Sequence, residues 1–365
     1  MTGWVRGSRR AVHWLALVVP LLLLPWAPAG ASTWAGPTVR SIAEGLDSPR
    51  GLDRRPGGGV FVAEAGRGGS GPCQVHPELG ERCFGTTGAI SRLAGEPLIN
   101  LPSHAPPDGS AALGPHDVAK RDGVLYATIG LAGDPAFRDG FGPAGSRLGT
   151  LVRWTHSGGV RVVADLAAYE EAHDPAGDGV DSNPFGVLRL EGSTVVTDAG
   201  GNSLLRVSDR GRVSTIAVFP NRNVPFDGGT FSMDAVPTTV VRGPDGAFYV
   251  GQLTGFPFPV RGARVYRVVP GHAPTIFARG FTNIIDIAFD RHGNLYVLEI
   301  AHNSLLAAEP AGAVIKVHTD GTKEVLLDEG LFFPGGIEVA RGGRRLFVTN
   351  CGVCAGGGEI LRIDL

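Results

Sequence analysis

The sequence is poor in aromatic residues (7%), has only four cysteines and two methionines, and contains almost no lysine. After residue 31 it has no apolar run approaching the ~18 residues that a membrane-spanning helix needs. It lacks a phosphate loop, a Gly-x-Ser-x-Gly elbow, a His-Glu-x-x-His helix and an EF-hand loop, so no chemistry served by those motifs can be read from it. It has no basic stripe and no nucleic-acid motif, which argues against a nucleic-acid partner. No stretch is low enough in complexity to be a disordered linker. What is abundant is glycine (56) and proline (27) among 365 residues that are 43% apolar. A large core is within reach, and all-β units of this length occur as single domains.

The N-terminus reads as an address. Arg6, Arg9 and Arg10 precede an apolar run from Ala11 to Trp26, and small residues follow, with A-x-A sites ending at Ala29 and Ala31. This is the pattern of a secretory signal peptide, expected over residues 1–31. The remaining 32–365 is expected to be one domain, secreted, with no membrane span. Loss of the leader takes three positive charges away, and the net charge falls from −2 to −5. Four cysteines remain: Cys73, Cys83, Cys351 and Cys354. In an exported chain they read as disulfides, most simply as two local pairs, Cys73 with Cys83 and Cys351 with Cys354. Crossed pairing and a four-cysteine zinc site are the alternatives.

The mature sequence repeats six times, at a spacing typical of propeller blades. One landmark opens each repeat: Pro49-Arg50-Gly51-Leu52, Pro115-His116-Asp117-Val118, Pro184-Phe185-Gly186-Val187, Pro237-Thr238-Thr239-Val240, Ile284-Ile285-Asp286-Ile287 and Pro334-Gly335-Gly336-Ile337. A short turn and a second strand follow, as in Val60-Phe61-Val62-Ala63 and Leu295-Tyr296-Val297. The third strand carries an aliphatic–x–basic–apolar pattern centred on Arg92, Arg153, Arg206, Arg267, Lys316 and Arg362. Those charges read as structural or solvated. The last repeat ends at its third strand, and Val39-Arg40-Ser41-Ile42 is free to supply the fourth beside residues 358–364. The fold expected is all-β, a six-bladed β-propeller whose N- and C-terminal strands close the last blade, which leaves no exposed sheet edge.

In such blades the first and third turns share one face, and here both are short. The long insertions, 66–88, 102–114, 130–149, 167–183 and 220–236, all fall on the other face. Loops on a rigid scaffold are where sites are usually built. Two rings of polar residues gather at that face. Strand entry supplies Arg50, His116, Asp117, Asn183, Asn283 and Asp286; the ends of the second strands supply Glu64, Thr128, Asp198, Gln252, Glu299 and Asn350. They are read as a polar floor that orients a ligand or holds a cation, against the plainer reading that strand-end polar groups hold loops. His116 is a candidate general base, although Asp117, its neighbour on a strand, must point to the opposite face. Asp178, Asp181, Asp227 and Asp234 lie on long loops and could join a calcium site, so a divalent cation such as calcium is the cofactor considered.

Several segments resemble the ScyD/ScyE family. They are Phe61-Val62-Ala63-Glu64-Ala65-Gly66, Gly68-Gly69-Ser70-Gly71-Pro72-Cys73, Cys83-Phe84-Gly85, Thr87-Gly88-Ala89-Ile90 and Asp181-Ser182-Asn183-Pro184-Phe185-Gly186. Tyr249-Val250-Gly251-Gln252-Leu253-Thr254-Gly255-Phe256-Pro257-Phe258-Pro259 and Tyr296-Val297-Leu298-Glu299-Ile300 complete the set. The resemblance spans essentially all of the mature chain. It implies an exported, NHL-like propeller; the namesakes are associated with the biosynthesis of scytonemin, an indole-phenol pigment of cyanobacteria. It carries over no catalytic residue. Gluconolactonase-like hydrolases and quinone-dependent sugar dehydrogenases are analogies of fold, and fold does not set function. Two functions are therefore carried forward. One is a binding protein that takes a small molecule, glycan or protein on its long-loop face. The other is an exported enzyme with a channel-mouth site, for metal-dependent hydrolysis or aromatic-metabolite maturation.

Overall fold

Each repeat becomes a sheet in the computed structural model, which describes residues 36–54, 59–93, 97–340 and 342–365. The expected leader, the turn at 55–58 and Arg341 lie outside the described residues. The first strands are Pro49–Arg54, Pro115–Arg121, Pro184–Arg189, Pro237–Arg242, Ile284–Phe289 and Gly336–Val339. Proline at the head of a strand forfeits no ladder bond, which explains its recurrence there. The second strands are Val60–Glu64, Val124–Ile129, Ser193–Asp198, Phe248–Gln252, Leu295–Glu299 and Arg345–Asn350. The third are Gly80–Arg92, Thr150–Thr155, Ser203–Ser208, Ala263–Val268, Ala313–Val317 and Gly358–Asp364. The described chain is nearly all β: six antiparallel sheets of four or five strands, and one two-stranded hairpin. Among the described residues no helix is long and apolar enough to cross a membrane.

Five sheets draw their fourth strand from the following sequence, as with Val213–Val218 and Thr275–Phe281. The sixth draws it from the other end of the chain. Thr38–Leu46 pairs with Gly358–Asp364, with Val39 opposite Ile363 and Ser41 opposite Leu361. The first strands also touch one another in succession. Pro49–Arg54 meets Pro115–Arg121, the series runs on through the other four, and Gly336–Val339 meets Pro49–Arg54 again.

Burial falls from the inner strands to the outer ones. Val60–Glu64, Phe248–Gln252 and Leu295–Glu299 are buried at every residue, whereas Thr38–Leu46 has none that is fully buried. A strand covered on both faces must be apolar throughout, which is why these second strands read as continuous rather than alternating runs. Core clusters form between successive sheets. Tyr296, Leu298 and Val314 of the fifth, for example, pack with Ile337, Val348 and Leu361 of the sixth.

The recurring basic residue of the third strand has a local cause. It stands directly opposite the second-strand aromatic in five sheets: Arg92 and Phe61, Arg153 and Tyr126, Arg267 and Tyr249, Lys316 and Tyr296, Arg362 and Phe347. In two of these the cation sits over the ring, Arg92 at 5.4 Å and Lys316 at 5.8 Å from the centroid. Such a cross-strand pair contributes about 0.5–1 kcal/mol.

The long insertions carry structure of their own. Residues 66–88 and 102–114, read above as loops, are partly strand. Cys73–His76 folds back on Gly80–Arg92, and Pro97–Ala105 follows the same strand out to the pair Cys83–Ala105. The disulfides are the two local ones, Cys73 with Cys83 across that hairpin and Cys351 with Cys354. Residues 130–149 contain the helix Pro135–Asp139, the helix Leu166–His173 leads into 167–183, and 220–236 contains the hairpin Arg222–Phe226 with Gly229–Met233.

Candidate functional site

The ladder pairs Pro49 with Glu64, Pro184 with Asp198, Pro237 with Gln252 and Ile284 with Glu299, so the two polar rings stand side by side at one end of the sheets. Most of the second-strand ends face the segment just before the first strand of their own sheet. Glu64 accepts from Asp47 N at 2.8 Å and from the Ser91 hydroxyl. Asp198 accepts from Ser182 Oγ at 2.7 Å, Asn183 N at 2.6 Å and Gly201 N at 3.2 Å. Glu299 accepts from Thr282 N at 2.7 Å and bonds His302 Nδ1. Asn350 accepts from Phe332 N at 2.8 Å and donates to Glu359 Oε1 at 3.0 Å. Thr128 instead reaches the next sheet, donating to Phe185 O. These groups clamp the chain where it enters each sheet, because buried N–H groups outside the ladder still need acceptors. Gln252 is the exception: it is buried, and neither side-chain heteroatom has a partner.

The strand-entry residues are deeper than an open channel mouth would place them. Arg50 donates to Ala112 O at 3.0 Å, its Nε has no partner, and burial followed by the Arg82 charge pulls it down to about 10. His116 is fully buried with its ring 4.3 Å from that of Phe185. Its Nδ1 faces Pro184 O at 3.1 Å, so Nδ1 carries the proton and Nε2 is left without a partner. Burial, and then Arg50, push the imidazole down to about 3, which makes it neutral and a poor base. Asn283 bonds Leu253 O, Thr254 Oγ1 and Leu305 N. Asn183 accepts from Leu131 N at 3.3 Å.

Asp117 and Asp286 do come together, in a cavity of about 250 Å³ along the inner strands that Asp53, Arg189 and Arg242 also line. Its lining begins at the third or fourth place of each opening landmark and runs toward the short first turns, away from the long loops. Arg50, His116, Asn183 and Asn283 do not line it. Both carboxylates bridge neighbouring sheets. Asp117 accepts from Val118 N and Val187 N, each at 2.8 Å. Asp286 accepts from Ile287 N and Ile337 N at 2.8 Å and from Thr239 Oγ1 at 2.6 Å. The third place of the opening landmark thus runs Gly51, Asp117, Gly186, Thr239, Asp286, Gly336 through the successive sheets, each aspartate reaching the sheet after it.

Burial lifts Asp286 to about 6 in spite of its three donors, and burial followed by Asp286 itself lifts Asp117 well above the carboxylate range. A carboxyl raised in the folded state holds a proton that the unfolded chain releases near pH ~4. The stability it contributes is complete below that pH and is lost as the pH rises through about 6. For Asp286 the loss is at most about 3 kcal/mol, since the residue is partly exposed. His116, held at about 3, acts in the opposite sense over the same range, so the contribution of Asp286 is read from the urea stability difference between the parent and Asp286→Ala, which should shrink between pH about 4 and about 7. A difference that stays constant over that range would mean that the three donors keep Asp286 ionised throughout.

A second polar region sits among the long loops. Glu170, in the helix Leu166–His173, is 0% exposed, and neither of its carboxylate oxygens has a hydrogen-bond partner. The turn Ala199-Gly200-Gly201-Asn202 runs against it. A methyl at Gly201 would lie 2.5 Å from Glu170 Oε2, and one at Gly200 would lie 2.7 Å from Asp181 Oδ1. Asp198 lies nearby, held as above. Asp178 accepts from the amides of Asn202 and Asn221, both at 3.0 Å, and Asp174 from Gly177 N at 2.9 Å. Asp178, Asp181 and Asp234 are exposed. Burial, and then the charges of Asp198, Asp174, Asp178 and Asp181, push Glu170 up to about 8. Of the aspartates singled out in the sequence, Asp178, Asp181 and Asp234 act on one another here. Asp227 sits in the turn of the hairpin. Glu170 had no sequence signal beyond being one acidic residue of a short helix.

Next to Asp234, the hairpin presents Phe226 and Phe231, 39% exposed each, to Phe256, 38% exposed, of the 254–262 loop. The rings pack edge to face at 4.7 Å (Phe226–Phe256) and 5.1 Å (Phe231–Phe256). The insertion 220–236 is expected from the sequence on the long-loop face, but neither its hairpin nor Phe226 and Phe231 carries a sequence signal.

No family model and no curated protein matches the sequence. Solved structures do resemble its fold. A Trichoderma reesei carbohydrate-active enzyme of family AA12 is 14% identical with a TM-score of 0.53, over 90% of this chain and 96% of that one. A glucose dehydrogenase is 15% identical at 0.50, over 90% and 99%. A virginiamycin B lyase from Staphylococcus aureus is 13% identical at 0.46, over 90% and 99%. The neighbours are propeller-like proteins, and at such identities the likeness concerns the fold alone.

Proposed function

We propose that this chain is an exported six-bladed β-propeller, closed by Thr38–Leu46 on its last blade, whose long-loop face binds a ligand with an aromatic or apolar surface. The observation that carries the binding reading is the phenylalanine trio. Three large apolar rings held edge to face on a projecting hairpin and a neighbouring loop, each more than a third exposed, form a preorganised apolar surface. The resemblance to the ScyD/ScyE family supports the same class, since its namesakes are associated with an indole-phenol product. Export is supported by the leader pattern and by two cysteine pairs at disulfide distance.

Calorimetric titration with indole and with a simple phenol tests this. The parent should bind at least one of them saturably, and Phe231→Ala with Phe256→Ala should weaken binding about tenfold or more without lowering the melting temperature by more than a few degrees. Absence of saturable heat from either compound, or unchanged affinity in the double variant, would overturn the reading.

The alternative is an exported enzyme working at the channel. Its support is Asp286, a carboxyl lifted to about 6 in a polar cavity, the range in which a general acid operates. The inter-sheet hydrogen bonds of Asp286 account for its placement without catalysis, so binding stands first.

A further inference from the structure

We propose that Glu170, in the helix Leu166–His173, anchors a site for a divalent cation of the calcium class, with Asp181 as its second carboxylate. The inference is independent of the aromatic-ligand reading. It begins from Glu170, whose oxygens are buried and unpartnered. A buried carboxylate with no donor is costly and needs a proton or a cation. The largest charges acting on it are carboxylates, those of Asp198, Asp174, Asp178 and Asp181.

The surrounding chain covers those oxygens with glycine backbone and offers them no hydrogen-bond donor. Gly200 and Gly201 bring bare backbone against Asp181 and Glu170, where any side chain would collide with a carboxylate. Arg138, the nearby base on the helix before, is committed elsewhere, bidentate to Asp165 at 2.9 and 2.7 Å. Asp178, Asp181 and Asp234 are exposed and act on one another, and their shared negative charge raises the local concentration of cations. The donors are oxygen, with no thiolate or imidazole among the residues named, which selects calcium or magnesium over zinc or copper. Irregular loop donors suit the flexible shell of calcium better than the strict octahedron of magnesium. Among the described residues no three His, Cys, Asp or Glu side chains converge on one point. Water and loop oxygens would complete the shell, and the dissociation constant belongs on the order of 10⁻⁴–10⁻³ M.

The test is calorimetry of the full chain, stripped with chelator, titrated with calcium chloride and in parallel with magnesium chloride. One calcium per chain is expected, bound more tightly than magnesium. Glu170→Gln, close in shape to the parent, should weaken calcium at least about tenfold. Asp181→Asn should weaken it too, and Asp227→Asn, in the hairpin turn, should leave it unchanged. If Glu170→Gln does not fold, Asp181→Asn at the exposed rim decides the matter. No saturable calcium binding below about 10 mM, well above the range cited for extracellular modules, would overturn the proposal. So would parental affinity in Glu170→Gln or Asp181→Asn, or magnesium bound as tightly as calcium.

Discussion

Asp286→Ala is expected to cost about 3–5 kcal/mol of unfolding free energy. The substitution strands three donors in one step: Ile287 N, Ile337 N and Thr239 Oγ1, at 2.8, 2.8 and 2.6 Å from the carboxylate. Leaving a buried donor unpaired costs about 1–3 kcal/mol each, and the three losses do not add fully because they share one site. Two of the three donors belong to neighbouring sheets, Thr239 to the fourth and Ile337 to the sixth, so the loss weakens packing on both sides of the fifth. Asparagine should not rescue, because its amide nitrogen would face a donor. The loss should also be greater near pH 5 than near pH 8, since the parent's own contribution from this carboxyl declines as the pH rises through about 6. Urea midpoints with an unchanged slope would measure it. A cost below about 1 kcal/mol would show that cavity water replaces the carboxylate as acceptor.

Gly51→Ala should be nearly as damaging, although it adds a single methyl. The new carbon would lie 2.1 Å from Asp117 Oδ1, 2.7 Å from its Cγ and 3.0 Å from its Cα. The last of these atoms belongs to the backbone, so rotating the side chain cannot relieve the clash alone. Moving the carboxylate away would release Val118 N and Val187 N. Overpacking costs about 1–3 kcal/mol, and a stranded buried donor about as much again, so a loss of about 2–5 kcal/mol is expected. Gly342→Ala is the control, because nothing lies within 4 Å of a methyl added there. Equal stability of the two variants would mean that the first and second sheets can part at the axis without penalty.

These two residues show how the sequence and the structure divide the account. Gly51 and Asp286 both occupy the third place of the recurring landmark, and the recurrence itself is plain in the sequence. The placing of a glycine or a threonine beside each aspartate in this series makes sense only when neighbouring first strands are seen to touch. The clamps at Glu64, Asp198, Glu299 and Asn350 were legible as polar ends of apolar strands. Which backbone N–H each one holds was not, because the partner arrives from a segment 15–18 residues away. The binding role suggested for both rings is a proposal still, and the geometry adds to it a structural use for most of their members.

By itself, the sequence determined the recurring strands, their order within each sheet and the partnership of the N-terminal strand with the last repeat, while it favoured the local disulfide pairs without deciding them. Those follow from periodicity and short-range spacing, since a strand covered on both faces must be apolar and a tight turn must carry glycine or its equivalent. Only the tertiary structure decided which end of the inner strands lines the cavity and that His116 is sealed and neutral. It alone buried Glu170 without a partner and gathered three phenylalanines from two separate insertions. The reason is physical. Burial, the pairing of a polar group and the proton affinity of a carboxyl depend on what the rest of the chain places within a few ångströms, and no local pattern records that distance.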